Sequence, residues 1–481
     1  MQDAHQTRKI VRSSAVYTVT LVFQKILSFV YFSVLARSLG PETLGAYIFA
    51  LSFAAFFSLV VDFGFVQMAI RSFAQDERFD TDKFRTFFTI RIGMALLGVA
   101  LLYACALLLG YSGDLLVLIA VTSVIMVMDA FTAFFWTVFR ARQNLVYESI
   151  GTAVFQTVIF ISGLVVLTKT RDLRALLGII GVGSLWHIVF SSAMLKLRAG
   201  VSFAPRLDWS SIKLWLHRAA PFFLATAFIK AYNTIDSIFI KNMLTDDAVG
   251  YYSIAAKVVF TFPFVALAIT AAVYPAMSNY AAYSKEKLQL IFTRTLELLL
   301  VVSLPIAVGI FLLAEDIILR VWPAFGSSVP ALKILIWAVV FLYIEYPFGS
   351  LLNATGREKR NTVNRGIQLF VAVSLLIVLL PRYGFMGAVY AALFGSILIV
   401  ALGWLAARAS VSVFTAKTCI TSLKIIASSA AMGAFVFWLR DIYSFMVVIP
   451  LAALIYLAAL FISRAVTKQD IIWVKELFLK E

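Results

Sequence analysis

Charge is scarce in this chain. Asp, Glu, Lys and Arg make up 14% of 481 residues, against about 25% in soluble domains. With so few solvating groups and 62% hydrophobic residues, a soluble globular protein is excluded. Histidine occurs three times, as His5, His187 and His217, and never in an HExxH pattern, so a zincin centre is excluded. No GxxxxGK[ST] segment is present, which removes P-loop ATP hydrolysis. The two cysteines, Cys105 and Cys419, lie in or beside apolar stretches with no His or Cys at ligand spacing. Neither a disulfide nor a metal site is expected from them, and no cofactor is implied. Polar stretches long enough to form an extramembrane catalytic domain are missing as well, so the chain is not expected to be an enzyme.

What is abundant is apolar sequence. A bilayer core about 30 Å thick needs roughly 20 apolar residues per helical span, and fourteen such runs are legible, from 14–36 to 420–439 and 445–462. The first is too long for a signal-peptide core and lacks a small-x-small cleavage site, so it reads as a retained anchor. The net charge of +16 would suggest nucleic acid in a soluble protein. Here the bases fall between spans, about threefold more often on the side that keeps the N-terminus, which predicts cytoplasmic N- and C-termini in an inner membrane.

A weak internal repeat appears at an offset of 205 residues: Lys25 falls on Lys230, Gly45 on Gly250, Tyr47 on Tyr252 and Ala50 on Ala255. Two six-span lobes in one orientation predict an approximate two-fold axis along the membrane normal, as in many secondary transporters. The expected organisation is a first lobe over 1–200, an interfacial linker helix over 201–219 and a second lobe over 220–410. Two further spans and an amphipathic tail then occupy 411–481.

Nine ionisable residues inside spans stand out, because each would cost about 2.5–3.5 kcal/mol at the bilayer centre on insertion scales. Lys25 and Lys230 lie near the middle of repeat-related spans. They either present ammonium groups to a multiply charged anion, with Lys257 extending that surface, or pair with buried carboxylates such as Asp62 or Asp236. Arg91, a turn from the cytoplasmic end of its span, either snorkels to the interface or joins the anion site. Asp62, Asp129, Asp236, Glu297 and Glu345 are candidates for binding a coupling proton or sodium ion, structural ion pairing being the alternative for each. Pro263, Pro275, Pro305 and Pro347 predict kinks. Trp136, Trp186, Trp322, Trp337, Trp404 and Trp438 read as interface belts.

The segments LARSLGPETLGAY (35–47), VDFGF (61–65) with Arg71 following, AAPFFLATAFIKAYNTIDSIFIKNMLTDDAVGYYSIAAKV (219–258), YPAMS (274–278) and LLNATGREKRN (351–361) together resemble a known family. It is that of the prokaryotic polysaccharide exporters, the O-antigen and exopolysaccharide repeat-unit flippases of the multidrug/oligosaccharidyl-lipid/polysaccharide superfamily. The resemblance implies an all-α polytopic membrane fold similar to the multidrug and toxic compound extrusion fold, with two lobes around a cationic cavity. It also implies movement of undecaprenyl-diphosphate-linked oligosaccharides from the inner to the outer leaflet, with polymerase and chain-length proteins as pathway partners. A peptidoglycan-precursor flippase or a cation-coupled drug or metabolite antiporter are the alternatives. Lys25, Lys230, Lys257 and Arg91 would then hold the diphosphate, with lysines at midplane positions that are often Arg in the family.

Overall fold

The computed structural model describes residues 2–472, apart from 77, 78, 414, 468, 469 and 471. Most of the expected amphipathic tail therefore lies outside the described residues. Those described form α-helices and short connections: α1 (Gln2–Leu39), α2 (Pro41–Asp62), α3 (Phe65–Ala74), α4 (Thr81–Leu108), α5 (Gly113–Ala141), α6 (Val146–Leu167), α7 (Leu173–Ala199), α8 (Trp209–Met243) and α9 (Asp246–Val259). The series continues with α10 (Pro263–Tyr283), α11 (Lys285–Val321), α12 (Ser328–Leu335), α13 (Ala338–Ala354), α14 (Glu358–Tyr383), α15 (Met386–Ala407), α16 (Ala416–Leu439) and α17 (Phe445–Ile462).

Helix starts follow local chemistry. Asp80, Asp172, Asp208, Ser284 and Thr415 each accept a backbone N–H from the first turn of α4, α7, α8, α11 and α16, satisfying donors that helix geometry leaves open. Gly40, at φ 77°, turns the chain into Pro41 at the first position of α2.

Among the described residues thirteen segments are long and apolar enough to cross a membrane, and the chain is a multi-pass membrane protein. The difference from fourteen is α8, whose seventh-span segment carries Lys230 and Asp236 and falls below that apolar standard. A second difference concerns the linker. Its amphipathic part and the seventh span form one continuous helix of 35 residues with Pro221 inside it. Within α8, Trp215 packs edge-on to Phe87 at 4.9 Å and Ile212 is buried, so this end is anchored to protein instead of standing alone at an interface.

Two compact units divide the chain, Met1–Gly250 and Tyr251–Glu481. In the first, α2 packs against α4, α5 and α8, α5 against α7, and α1 against α6. Its core is rich in phenylalanine, with Phe84 and Phe134 stacked at 5.2 Å. Trp136 belongs to this core at 2% exposure and Trp322 is equally buried in the second unit, so neither is part of an interface belt. In the second unit α13 packs on α10, α11 and α15, and α16 lies against α11 and α17. Cys105 and Cys419 are free thiols.

Each unit contains a broken membrane helix. The first break separates α2 from α3 at Phe63 and Gly64, both left-handed at φ 44° and 70°. The second separates α9 from α10 over 260–262, so Pro263 begins a helix where a kink within one was expected. Pro275, Pro305 and Pro347 do lie inside helices. Backbone groups freed at such breaks need protein partners inside a bilayer. At the second break the Tyr343 hydroxyl donates to the Phe262 carbonyl at 2.8 Å.

Candidate functional site

At the first break the partner is Arg91. From α4 its Nη1 donates to the carbonyls of Val61 (2.8 Å) and Asp62 (3.3 Å) and to Asp62 Oδ1 (3.2 Å), while Nη2 donates to the Ala130 carbonyl on α5 (2.5 Å). The side chain is 1% exposed. Arg91 therefore does not snorkel: its guanidinium caps the end of α2 and ties it to α5. The left-handed Phe63 is a conformation that costs a non-glycine residue about 1–3 kcal/mol, and its ring stacks on Phe223 of α8 at 4.5 Å. Gly64 has no room for a side chain, since a Cβ there would overlap the backbone of Phe222 and Phe223. The break is thus seated directly on α8.

Beside it lies a cavity of about 610 Å³ within the first unit, walled by α2, α3, α4, α5 and α8. Its ionisable groups are Asp62, Arg91, Asp129 and Lys230, and Ser58, Gln67, Thr122 and Thr226 add neutral polar atoms. Lys230 donates to Ser58 Oγ at 3.2 Å, with Asp62 and Arg91 in electrostatic range of its ammonium. Asp129 accepts from Ser184 Oγ at 2.7 Å. Two acids and two bases balance formally, but the Asp62–Arg91 ion pair is already joined in the wall. Lys230 is the base whose ammonium reaches the cavity from a side chain still substantially exposed.

The remaining sequence candidates are placed elsewhere. Lys25 is exposed on α1 and does not line this cavity. Asp236 is partly buried on α8, again off the cavity wall. In the second unit Lys257 and Glu297 are partly buried, and Glu345 is 4% exposed and ion-paired with Arg365. Arg365 in turn contacts Gln368 Oε1 at 3.4 Å, and Gln368 Nε2 donates to the Gly395 carbonyl at 3.1 Å. This network fits the ion-pairing alternative for Glu345.

Sequence reasoning did not single out Arg365, which stands within a turn of its span's edge. It also missed a second polar cluster in the first unit. There Arg140 forms a bidentate pair with Glu148, Nε to Oε2 at 2.8 Å and Nη2 to Oε1, and Tyr17 donates to Glu148 Oε1 at 3.3 Å. Glu148 stands one residue before the expected start of its span, so only its helical register would have revealed that it is buried.

A model of the polysaccharide biosynthesis protein family matches residues 10–281, more than half of the chain. The chain belongs to that family. A second model, MatE, matches residues 221–378. A putative O-antigen transporter of Shigella flexneri is 26% identical over 157 residues, 32% of this chain and 37% of that protein. A probable flippase, AglR, of Haloferax volcanii is 28% identical over 181 residues, 35% of this chain and 37% of that one. The chain thus matches little more than a third of the length of either relative. Among solved structures, a multidrug resistance MATE family transporter of the MOP superfamily in an inward-facing conformation superposes with a TM-score of 0.65. It is 14% identical, over 80% of this chain and 94% of that one. A MOP superfamily transporter from Pyrococcus furiosus gives 0.56, also at 14% identity, over 84% and 95%. These likenesses establish the fold of this polysaccharide biosynthesis family member.

Proposed function

We propose that the chain is a flippase for undecaprenyl-diphosphate-linked oligosaccharides, moving them from the inner to the outer leaflet of a cytoplasmic membrane. The observation that carries this reading is Lys230: a lysine ammonium opening into a cavity of about 610 Å³, inside the segment matched by the family. A diphosphate needs charge-assisted donors in a water-poor site, while its polyprenyl tail requires nothing beyond the bilayer. Lys25 and Lys257 are proposed as further contacts along the path. Arg91 contributes its charge through the wall, because its Nη donors are spent on Val61, Asp62 and Ala130. Transport is by alternating access of two six-helix lobes, with both termini cytoplasmic and polymerase and chain-length proteins as downstream partners. A transporter of this kind makes and breaks no covalent bond, so the chain is not an enzyme.

A second reading, a cation-coupled antiporter, draws on the two carboxylates of the cavity, Asp62 and Asp129. A proton or sodium ion bound there is compatible with either cargo. The decisive experiment measures the leaflet distribution of lipid-linked oligosaccharides in host cells carrying the wild type, no protein, or Lys25→Ala with Lys230→Ala. Accumulation on the cytoplasmic face in the last two supports the flippase. A distribution unchanged without the protein refutes a non-redundant flippase and directs attention to export of cationic compounds.

A further inference from the structure

A second chamber adjoins the cavity just described. It holds about 280 Å³ and lies wholly in the first unit, between α1, α5, α6 and α7. Asp129 and Ala133 line both spaces. They stand four residues apart on α5, hence on one face of that helix, so the two spaces meet over that face.

The walls of the chamber differ in kind from those of the Lys230 cavity. Its arginine, Arg140, is neutralised by the bidentate pair with Glu148, so that guanidinium is not free to hold an anion. What remains is hydroxyl chemistry and flat apolar surface. Gln24 and Thr152 supply an amide and a hydroxyl, and Asp129 supplies a carboxylate held in place by Ser184. The rings of Phe155 and His187 stack at 5.1 Å and 29°, and both border the chamber. His187 is itself oriented by the Trp136 Nε1–H, 3.3 Å from its Nε2. A ring carrying hydroxyls on its edge and C–H groups on its face matches this pairing of acceptors with aromatic surface. The volume lies just below the roughly 300–1,000 Å³ of drug-sized ligand sites, which suits a single ring.

We propose that this chamber is a saccharide subsite, taking the sugar next to the diphosphate of the lipid-linked cargo while Lys230 holds the phosphate end. The proposal rests on the flippase reading and adds to it a place where the cargo's first sugar is recognised. A hydrogen-bonding site of this type discriminates by leaving its own polar groups unpaired when the wrong partner, or none, is present.

The test uses the full chain in lipid nanodiscs. Affinities are measured for undecaprenyl diphosphate and for the same lipid bearing one glucose, galactose, N-acetylglucosamine or N-acetylgalactosamine. The wild type is expected to bind at least one glycosylated lipid about tenfold more tightly than undecaprenyl diphosphate. Gln24→Met with Thr152→Val, near-isosteric changes, is expected to bring that ratio to within about twofold while leaving the affinity for undecaprenyl diphosphate in place. Thermal melting checks the fold, and if the double variant melts early, each single change is expected to lower the ratio by about threefold. A wild type that binds undecaprenyl diphosphate but prefers no sugar overturns the chamber and leaves the flippase reading standing. A preference that survives the substitutions overturns it equally. Failure to bind any of the five lipids refutes the flippase reading itself, and the chamber with it.

Discussion

The Cβ that Gly45 lacks would lie 3.0 Å from the backbone nitrogen of Gly250 and would overlap the Asp246 carbonyl oxygen; the one that Gly250 lacks would overlap the carbonyl oxygen of Pro41. Gly45 and Gly250 are 205 residues apart, and so are Pro41 and Asp246. The contact is therefore reciprocal between repeat-related positions: residue 45 meets the counterpart of 41, and 41 meets the counterpart of 45. Two helix starts, those of α2 and α9, meet here at backbone distance.

Gly45→Ala or Gly250→Ala should thus displace backbone, not a yielding side chain. Either change is expected to lower the melting temperature of the detergent-purified protein by several degrees. Gly93→Ala, on α4 with nothing within 4 Å of the new methyl, is the control and is expected to be neutral or slightly stabilising. Fluorescence-monitored melting of the three variants decides it.

Arg91→Ala strips the partners from the end of α2 and leaves the Asp62 carboxylate unpaired in the wall. Removing one side of a buried pair costs about 3–5 kcal/mol, so the yield of folded protein should collapse. Arg91→Lys keeps the charge but offers no fork to reach α2 and α5 together, and should fall between Arg91→Ala and wild type. Size-exclusion profiles and melting curves would show that order; an Arg91→Ala protein as stable as wild type would contradict the capping role.

Lys230→Gln removes the ammonium from the cavity at little cost in volume. On the proposed flippase function, export of lipid-linked oligosaccharide is expected to drop at least about tenfold, as for loss of a charge-assisted phosphate contact. Lys25→Gln, off the wall of that cavity, should drop it less. Surface polysaccharide on cells, normalised to membrane-inserted protein, separates the two, and equal losses would argue against Lys230 as the principal anchor.

Glu345→Gln should be destabilising, because it orphans Arg365 in the second unit. The Arg365→Leu and Glu345→Leu double variant should recover part of the lost stability, since an apolar pair tolerates burial better than a lone charge. A double-mutant cycle on melting free energies tests the coupling.

Asp208 supplies a pH dependence outside the membrane. Hydrogen bonds from Ser210 and Ser211, side chains first and then their backbone N–H groups, hold its carboxyl down at about 2. A carboxyl lower in the folded than in the unfolded chain stabilises fully above its ordinary value of about 3.9, and this contribution fades as pH falls toward the folded value. Wild-type melting temperature should therefore fall more steeply between about pH 4 and 2 than that of Asp208→Ala, the variant melting lower at neutral pH.

Much of this was legible because bilayer chemistry leaves few options. Helical spans, their alternating basic flanks and the 205-residue repeat are one-dimensional signals. The two helix breaks were only half legible: VDFGF contains the glycine, but nothing local says that Arg91, about thirty residues on, caps the preceding turn. The pairing of Glu345 with Arg365 was not legible, because pairing across α13 and α14 depends on helix rotation. The chamber beside Asp129 was invisible, since its walls come from four helices and its ion pair, Arg140 with Glu148, stood at span edges, where hydropathy counts such residues as solvent-facing.

The seat of Gly64 on Phe222 and Phe223 has a thermodynamic corollary. Lys230 lies two helical turns further along α8 than those phenylalanines, and the α2–α3 joint touches α8 without an intervening side chain. Any free energy by which an anion at Lys230 favours one setting of the joint must reappear, undiminished, as a change in anion affinity when the joint is shifted by other means. A substitution at Phe63 or Phe223, neither of which lines the Lys230 cavity, should on that account alter how tightly phosphate is held there.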